Sequence, residues 1–310
     1  MDTFMAVEAP LSPNVAAPRA AFASLLQVAA DYVALLKPRI ILLLVITELG
    51  AMIVAARGWP RPEVLIGALL GGSMAAGGAG AVNCWFDRDI DKLMPRTRRR
   101  PIAAGRITPD AGLRFGIAVG LSGVALIAVT TDRLAAALAF AGGLVYVFVY
   151  TMWLKRSTTQ NIVIGGAAGA FPPLVGWAAV TGSLSPLAWV LFAIIFFWTP
   201  PHFWALALLL SKQYSAAKVP MLPVVAGDAR TRRSILFYTV LLVAISLVPV
   251  VWLGPVYAVA CVALGGVFLV LAVRATRTHD GASAVALFHY SLVYLALLFT
   301  AAAIGAVVRL

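Results

Sequence analysis

The chain has 310 residues, 62% of them hydrophobic and 12% charged, where a soluble domain carries roughly 45–50% and about 25%, so a soluble globular enzyme is excluded. Lys and Arg total 24 against 12 Asp and Glu, a net charge of +12 that taken alone would admit nucleic acid or anionic lipid as a partner. The two cysteines, Cys84 and Cys261, stand in separate apolar blocks without CxxC or metal-spaced His, which leaves them as small buried residues and gives a disulfide framework or zinc site no support.

Residues 1–30, with Asp2, Glu8, Pro10, Pro13 and Pro18, lack the basic start and apolar core of a cleaved signal and are expected to form a loose cytoplasmic tail. From about Ala20 to Leu36 the apolar residues recur at helical spacing on one side and stop at Lys37-Pro38-Arg39. That pattern predicts a helix lying along the cytoplasmic interface. Residues 31–310 then read as a single polytopic domain.

Nine apolar blocks follow, at 40–57, 64–84, 111–131, 134–154, 162–181, 187–210, 235–253, 255–273 and 285–308. Each is long enough to cross a bilayer as a helix that satisfies its own backbone. None shows the strict alternation of a membrane barrel strand. With the N-terminus cytoplasmic, 20 of the 24 Lys and Arg fall on the inner side, and only Arg57, Arg61, Arg133 and Arg309 fall on the other. The positive charge is therefore topological or anion-binding, and membrane lipid rather than nucleic acid is the expected surroundings. The start has no transit-peptide pattern, so a bacterial inner membrane is expected. The heaviest loops follow spans two and six, four helices apart, which hints at a duplicated helical unit.

The second span ends in Asn83-Cys84-Trp85-Phe86-Asp87-Arg88-Asp89-Ile90-Asp91-Lys92. On a helix Asn83, Asp87 and Asp91 share one face, while Asp89 points away and suits a structural pair with an Arg or Lys. Carboxylates at a bilayer need a cation, and magnesium takes one or two carboxylates with substrate phosphates completing its shell. Arg96, Arg98, Arg99, Arg100 and Arg106 come next, planar forks matched to phosphate oxygens. Acids followed by bases in this order can hold a magnesium diphosphate. Each Arg by itself also suits a positive-inside anchor.

These residues carry a resemblance. Asn and two Asp at four-residue spacing resemble the first motif of the UbiA superfamily of intramembrane prenyltransferases. Arg96-Thr97-Arg98-Arg99-Arg100-Pro101-Ile102 adds to that resemblance, and Asn161-Ile162-Val163-Ile164-Gly165-Gly166, Thr199-Pro200-Pro201-His202-Phe203-Trp204 and Val219-Pro220-Met221-Leu222-Pro223 are similar to its haem-modifying branch. The match runs from about residue 30 to the C-terminus. It implies an all-α membrane fold with about nine transmembrane helices around a central cavity. It implies magnesium as cofactor and transfer of farnesyl from farnesyl diphosphate to a vinyl group of haem B, with addition of water, feeding a downstream haem A synthase.

Carried onto this chain, the resemblance implies catalytic and metal roles for Asn83, Asp87 and Asp91. Lys155 could hold diphosphate, and Tyr150 could hydrogen-bond it or shield a cation with its ring, although both also suit interfacial anchoring. Lys37, Arg98 and Arg106 are candidates for the substrate's anions. His202 is a candidate haem-iron ligand, or else a hydrogen bond between helices. Trp85, Phe86, Tyr146 and Trp153 are expected at an interface anyway and receive no site role; His279 and His289 are expected to be structural. The chain departs from the pattern in one place. Near the end of span six, where the superfamily has a second Asp-rich motif, it has Ser211-Lys212-Gln213-Tyr214, with Asp228 well beyond. A single metal, or a neutral Gln ligand, is the resulting expectation.

Two other functions compete. A sister prenyltransferase acting on an aromatic or quinone precursor would share the motif, and a helical transporter would explain the repeat hint. Neither a transporter nor a structural subunit accounts for an Asn-Asp-Asp face joined to a dense Arg loop.

Overall fold

A computed structural model describes residues 25–308. Residues 1–24, most of the tail expected over residues 1–30 together with the start of the amphipathic helix, lie outside the described residues; from Leu25 that helix is present as α1 (Leu25–Leu35), so residues 25–30 are helical rather than loose. The chain continues through α2 (Pro38–Ala56), α3 (Pro62–Phe86), α4 (Arg88–Leu93), α5 (Pro109–Thr130) and α6 (Arg133–Leu144). A π-helical stretch, Val145–Leu154, runs from α6 into α7 (Lys155–Ser157). Then come α8 (Asn161–Gly165), α9 (Ala167–Thr181), α10 (Pro186–Leu209), α11 (Ser211–Ala216), α12 (Leu222–Leu247), α13 (Val250–Thr278) and α14 (Gly281–Val308).

Local chemistry sets these boundaries. Pro38, Pro62, Pro109 and Pro186 open their helices where a missing N–H costs nothing. Thr108, Asp132 and Ser185 accept hydrogen bonds from backbone N–H groups of the first turns of α5, α6 and α10. Gly182 ends α9 in the left-handed region, which glycine enters without strain.

Among the described residues, eight helical segments are long and apolar enough to cross a membrane, where the hydropathy pattern predicts nine. Helix α12, in the place of the seventh predicted span, carries Asp228, Arg230, Arg232 and Arg233 in its first half. Arg232 is buried, and its guanidinium donates to Ala275 O at 2.9 Å, Asp280 O at 3.1 Å and Ser283 Oγ at 3.3 Å, tying α12 to the α13–α14 turn. The break expected between residues 253 and 255 falls instead at Val248 and Pro249, because Pro249 cannot donate back into α12. Gly254-Pro255 becomes a kink inside α13.

Helices α2, α3, α5, α6 and α9 pack as one group and α10, α12, α13 and α14 as another, joined where α9 meets α10 and where α14 closes on α2. The seam between α3 and α5 is made of glycine. A Cβ at Gly78 would lie 2.5 Å from Gly116 O, and one at Gly123 would lie 2.5 Å from Gly71 O, so the two backbones touch. Successive spans alternate in direction. The α1–α2 junction, the α3–α5 segment, α7 and α11 therefore gather at one end, as contacts from Lys37 to Asn83, from Asp87 to Lys155 and from Arg96 to Tyr214 show. The loops after α3 and α10 each begin with a six-residue helix, α4 and α11, in keeping with a duplicated unit.

Candidate active site

The acidic face survives a break in its helix. Asp87 sits between α3 and α4, yet its N–H still donates to Asn83 O at 2.9 Å and its own carbonyl still accepts from Asp91 N at 2.8 Å. The four-residue register is kept, and Asn83, Asp87 and Asp91 are 3%, 0% and 2% exposed. Asp89, off that face, points outward and pairs with Arg156 through two 2.7 Å bonds. Those hydrogen bonds hold its carboxyl down at about 2. It is structural, as its position on the helix implies.

Buried acids require partners, and each here has its own cation. Lys155 bonds to Asp87 Oδ2, and Arg156 Nη2 approaches Asp87 Oδ1 at 3.6 Å. Arg100 Nη1 reaches both oxygens of Asp91, at 2.9 and 2.8 Å. Burial works against the Arg100 charge, but Asp91, together with the smaller pulls of Cys84 and Tyr146, more than offsets it, and the guanidinium is held more firmly protonated than usual. Asn83 links the group. Its Nδ2 donates to Asp87 Oδ2 at 2.6 Å and to Thr151 Oγ1 at 3.1 Å, and its Oδ1 accepts from Lys37 Nζ at 2.6 Å. Lys37 also donates to the Tyr146 hydroxyl at 3.2 Å.

The π-helical stretch makes this convergence possible. Tyr146 and Lys155 are nine residues apart, two and a half α-turns, and would face opposite sides of an ordinary helix. The wider i→i+5 turn brings them round to the same side. Thr151 Oγ1 donates five residues back to Tyr146 O at 2.8 Å and Lys155 N bonds to Tyr150 O. Tyr150 stacks on Tyr146 with centroids 5.6 Å apart.

Of the residues expected at the site, Lys37, Asn83, Asp87, Asp91, Tyr150 and Lys155 come together. Arg98 is exposed. Arg106 is turned to Asp31 of α1, with bonds of 2.9 to 3.1 Å, and to Arg99 O at 3.0 Å. His202 lies away from this cluster on α10, its Nδ1 2.6 Å from Ser291 Oγ and its ring stacked between Trp198 and Phe288. The Ser291 hydroxyl donates to Phe288 O at 2.6 Å, which assigns the imidazole proton to Nδ1 and leaves Nε2 without one. Sequence reasoning placed Arg100 in the diphosphate-matched Arg run but not among its individual candidates, and it missed Thr151 and Tyr146. Nothing in the pattern marked the π turn that delivers those two.

The donor set suits a hard cation that draws most of its shell from a substrate. Among the described residues no three acids, His or Cys form a metal cage. Asp87 Oδ1 is buried without a hydrogen-bond donor, and so is the side-chain oxygen of Gln213. One or two carboxylates plus phosphate oxygens is how magnesium is ordinarily held, so the residues fit that ion.

The pattern defining the UbiA prenyltransferase family matches residues 43–305. The chain is 53% identical over 280 residues to the protoheme IX farnesyltransferase of Gloeobacter violaceus, covering 89% of this chain and 92% of that one. It is 50% identical over 293 residues to the Rhodopseudomonas palustris enzyme of that name, covering 93% and 92%. A Roseiflexus relative of the same name is 50% identical over 280 residues, 90% of this chain but 52% of that protein, so the chain spans about half the length of some curated relatives it matches. Among solved structures, a digeranylgeranylglyceryl phosphate synthase superposes with a TM-score of 0.75 at 16% identity, covering 91% of this chain and 99% of that one. A UbiA homologue from Archaeoglobus fulgidus bound to GPP and Mg2+ gives 0.64 at 15%, covering 87% and 99%. At such identity these two show the fold.

Proposed function

The chain belongs to the UbiA prenyltransferase family, and from that premise we propose that it is a protohaem IX farnesyltransferase, transferring farnesyl from farnesyl diphosphate to a haem B vinyl group to give haem O. The observation that carries the reading is the buried Asn83-Asp87-Asp91 face with a cation on each acid. Relatives near 50% identity over nine-tenths of the chain supply the acceptor.

Asp87 and Asp91 would hold magnesium, with Asn83 able to join them once its oxygen is released from Lys37. When bound, that ion would neutralise charge building on the departing diphosphate. Lys155, Arg100 and Lys37 stand close enough to take up the diphosphate oxygens. As the C1–O bond breaks, its electron pair leaves with diphosphate and the allylic carbon becomes electron-poor. The stacked rings of Tyr146 and Tyr150 can face that charge. The vinyl electrons form the new carbon–carbon bond, and the carbon left short of electrons takes hydroxide from water, releasing one proton. Bulk water must stay out until then, because earlier capture gives farnesol. His202, with Nε2 free of a proton, is the proposed haem ligand; an unchanged haem spectrum in folded His202→Ala would remove it from that role. The Lys and Arg distribution supports a topology with this end of the bundle and the N-terminus cytoplasmic, and a bacterial inner membrane is the proposed location.

The test is mass spectrometry after incubation of the protein in lipid with haem B, farnesyl diphosphate and magnesium. Haem O is expected from wild type and none from Asp87→Ala. Diphosphate release without haem O would move the acceptor to another ring system; no release at all would end the prenyltransferase reading.

A further inference from the structure

Every acid that would meet a metal is already bonded to a cation that would meet the diphosphate. Lys155 holds Asp87, Arg100 grips Asp91 with one nitrogen shared between its two oxygens, and Lys37 occupies the oxygen of Asn83. The acids are 0% and 2% exposed, and the side chains of Lys155 and Arg100 are 13% and 25% exposed. Solvent does little to stabilise either partner alone.

A divalent metal arriving by itself has to displace Lys155 and Arg100, leaving two buried cations beside a third. Diphosphate arriving by itself has to draw those cations away, leaving two buried carboxylates beside a polyanion. Either change leaves uncompensated buried charge, which is costly. When both arrive, each broken pair is replaced: acids pass to the metal and cations to the phosphate oxygens. We propose that the resting site is a set of exchangeable ion pairs, so that divalent metal and diphosphate each strengthen the binding of the other, with Arg100 the residue that enforces the coupling at Asp91. This rests on the prenyl diphosphate reading but is indifferent to which acceptor follows.

Thermodynamic linkage makes the effect reciprocal, each ligand tightening the other by the same factor. The experiment titrates wild-type protein in lipid nanodiscs with Mn2+ alone by electron paramagnetic resonance. Inorganic pyrophosphate alone, and with Mn2+, is titrated by calorimetry, after correction for the Mn2+-pyrophosphate complex in solution. No haem or farnesyl is present. The expected result is a gain of at least about tenfold in the affinity of each by the other, within the usual range of such couplings. In Arg100→Gln, Mn2+ alone should bind more tightly than in wild type, pyrophosphate more weakly, and the mutual gain should shrink. Arg100→Lys, which keeps the charge, should retain most of it. Equal pyrophosphate affinity with and without Mn2+ in wild type overturns the exchange and leaves the prenyltransferase reading standing. Failure of every combination to bind overturns both.

Discussion

Asn83 is the residue through which the acidic and basic halves of the site communicate. Both of its amide functions are committed, the NH2 to Asp87 and Thr151 and the oxygen to Lys37. An Asp in its place keeps the shape but turns a donor into an acceptor facing Asp87. A hydrogen bond to a charged group is worth about 1.5–3 kcal/mol. Asn83→Asp should therefore lose at least about tenfold in kcat/KM for diphosphate release, at close to wild-type folding. Equal activity would show that the amide donor is not needed. The spacing of Asn83, Asp87 and Asp91 was legible in the sequence because one residue in four is a helical property. The choice among Arg98, Arg100 and Arg106 was not, because they lie in a segment without a period. There the direction of a side chain is set by contacts such as Thr97 Oγ1 to Asp91 O at 3.0 Å, which no pattern records.

At the scale of the element, the π-helical stretch is the departure that matters. The apolar run 134–154 marks a span correctly, but helical periodicity assigns faces on 3.6 residues per turn and fails wherever the turn widens. Room for the widened turn is left by α8. A Cβ on Gly165 would run into the Tyr150 ring. Gly165→Ala should push that ring toward Tyr146, lowering turnover and destabilising the fold by about 1–3 kcal/mol through overpacking. Thermal unfolding and diphosphate release measured together would check it, and a variant unchanged in both would show that the ring has space. A second local feature was equally illegible. Ser246 O, near the Pro249 break, is taken up by the Tyr257 hydroxyl at 2.8 Å and Cys261 Sγ at 3.0 Å, side chains from the following helix. Cys261 reads in sequence as a small buried residue, and its use as a donor, like that of Tyr257, appears only once α12 and α13 are packed.

For the molecule as a whole, hydropathy was enough to lay out eight of the nine expected spans as apolar helices of membrane length, the charged α12 standing in the place of the other, and charge asymmetry brought their basic loops to one end. They do not reveal which helices touch. The orientation has a direct check in single-cysteine labelling of intact cells, since Cys84 and Cys261 are both buried and give little background. A cysteine replacing exposed Ser183 should react with a membrane-impermeant maleimide from outside, and one replacing Arg98 only after permeabilisation. The reverse pattern would invert the topology. The glycine contact between α3 and α5 then acquires a mechanical meaning. Two backbones in contact along several turns cannot slide without opening a void, so α3, which carries Asn83 and leads directly into Asp87, is a fixed anvil. The cations ride on less constrained parts: Lys37 at a left-handed junction, Arg100 in a loop, and Lys155 at the end of a widened turn. Substrate capture is then an asymmetric grasp, in which backbone amides of α3 keep the same slow hydrogen exchange with and without ligand while those of residues 94–107 and 145–157 slow on binding.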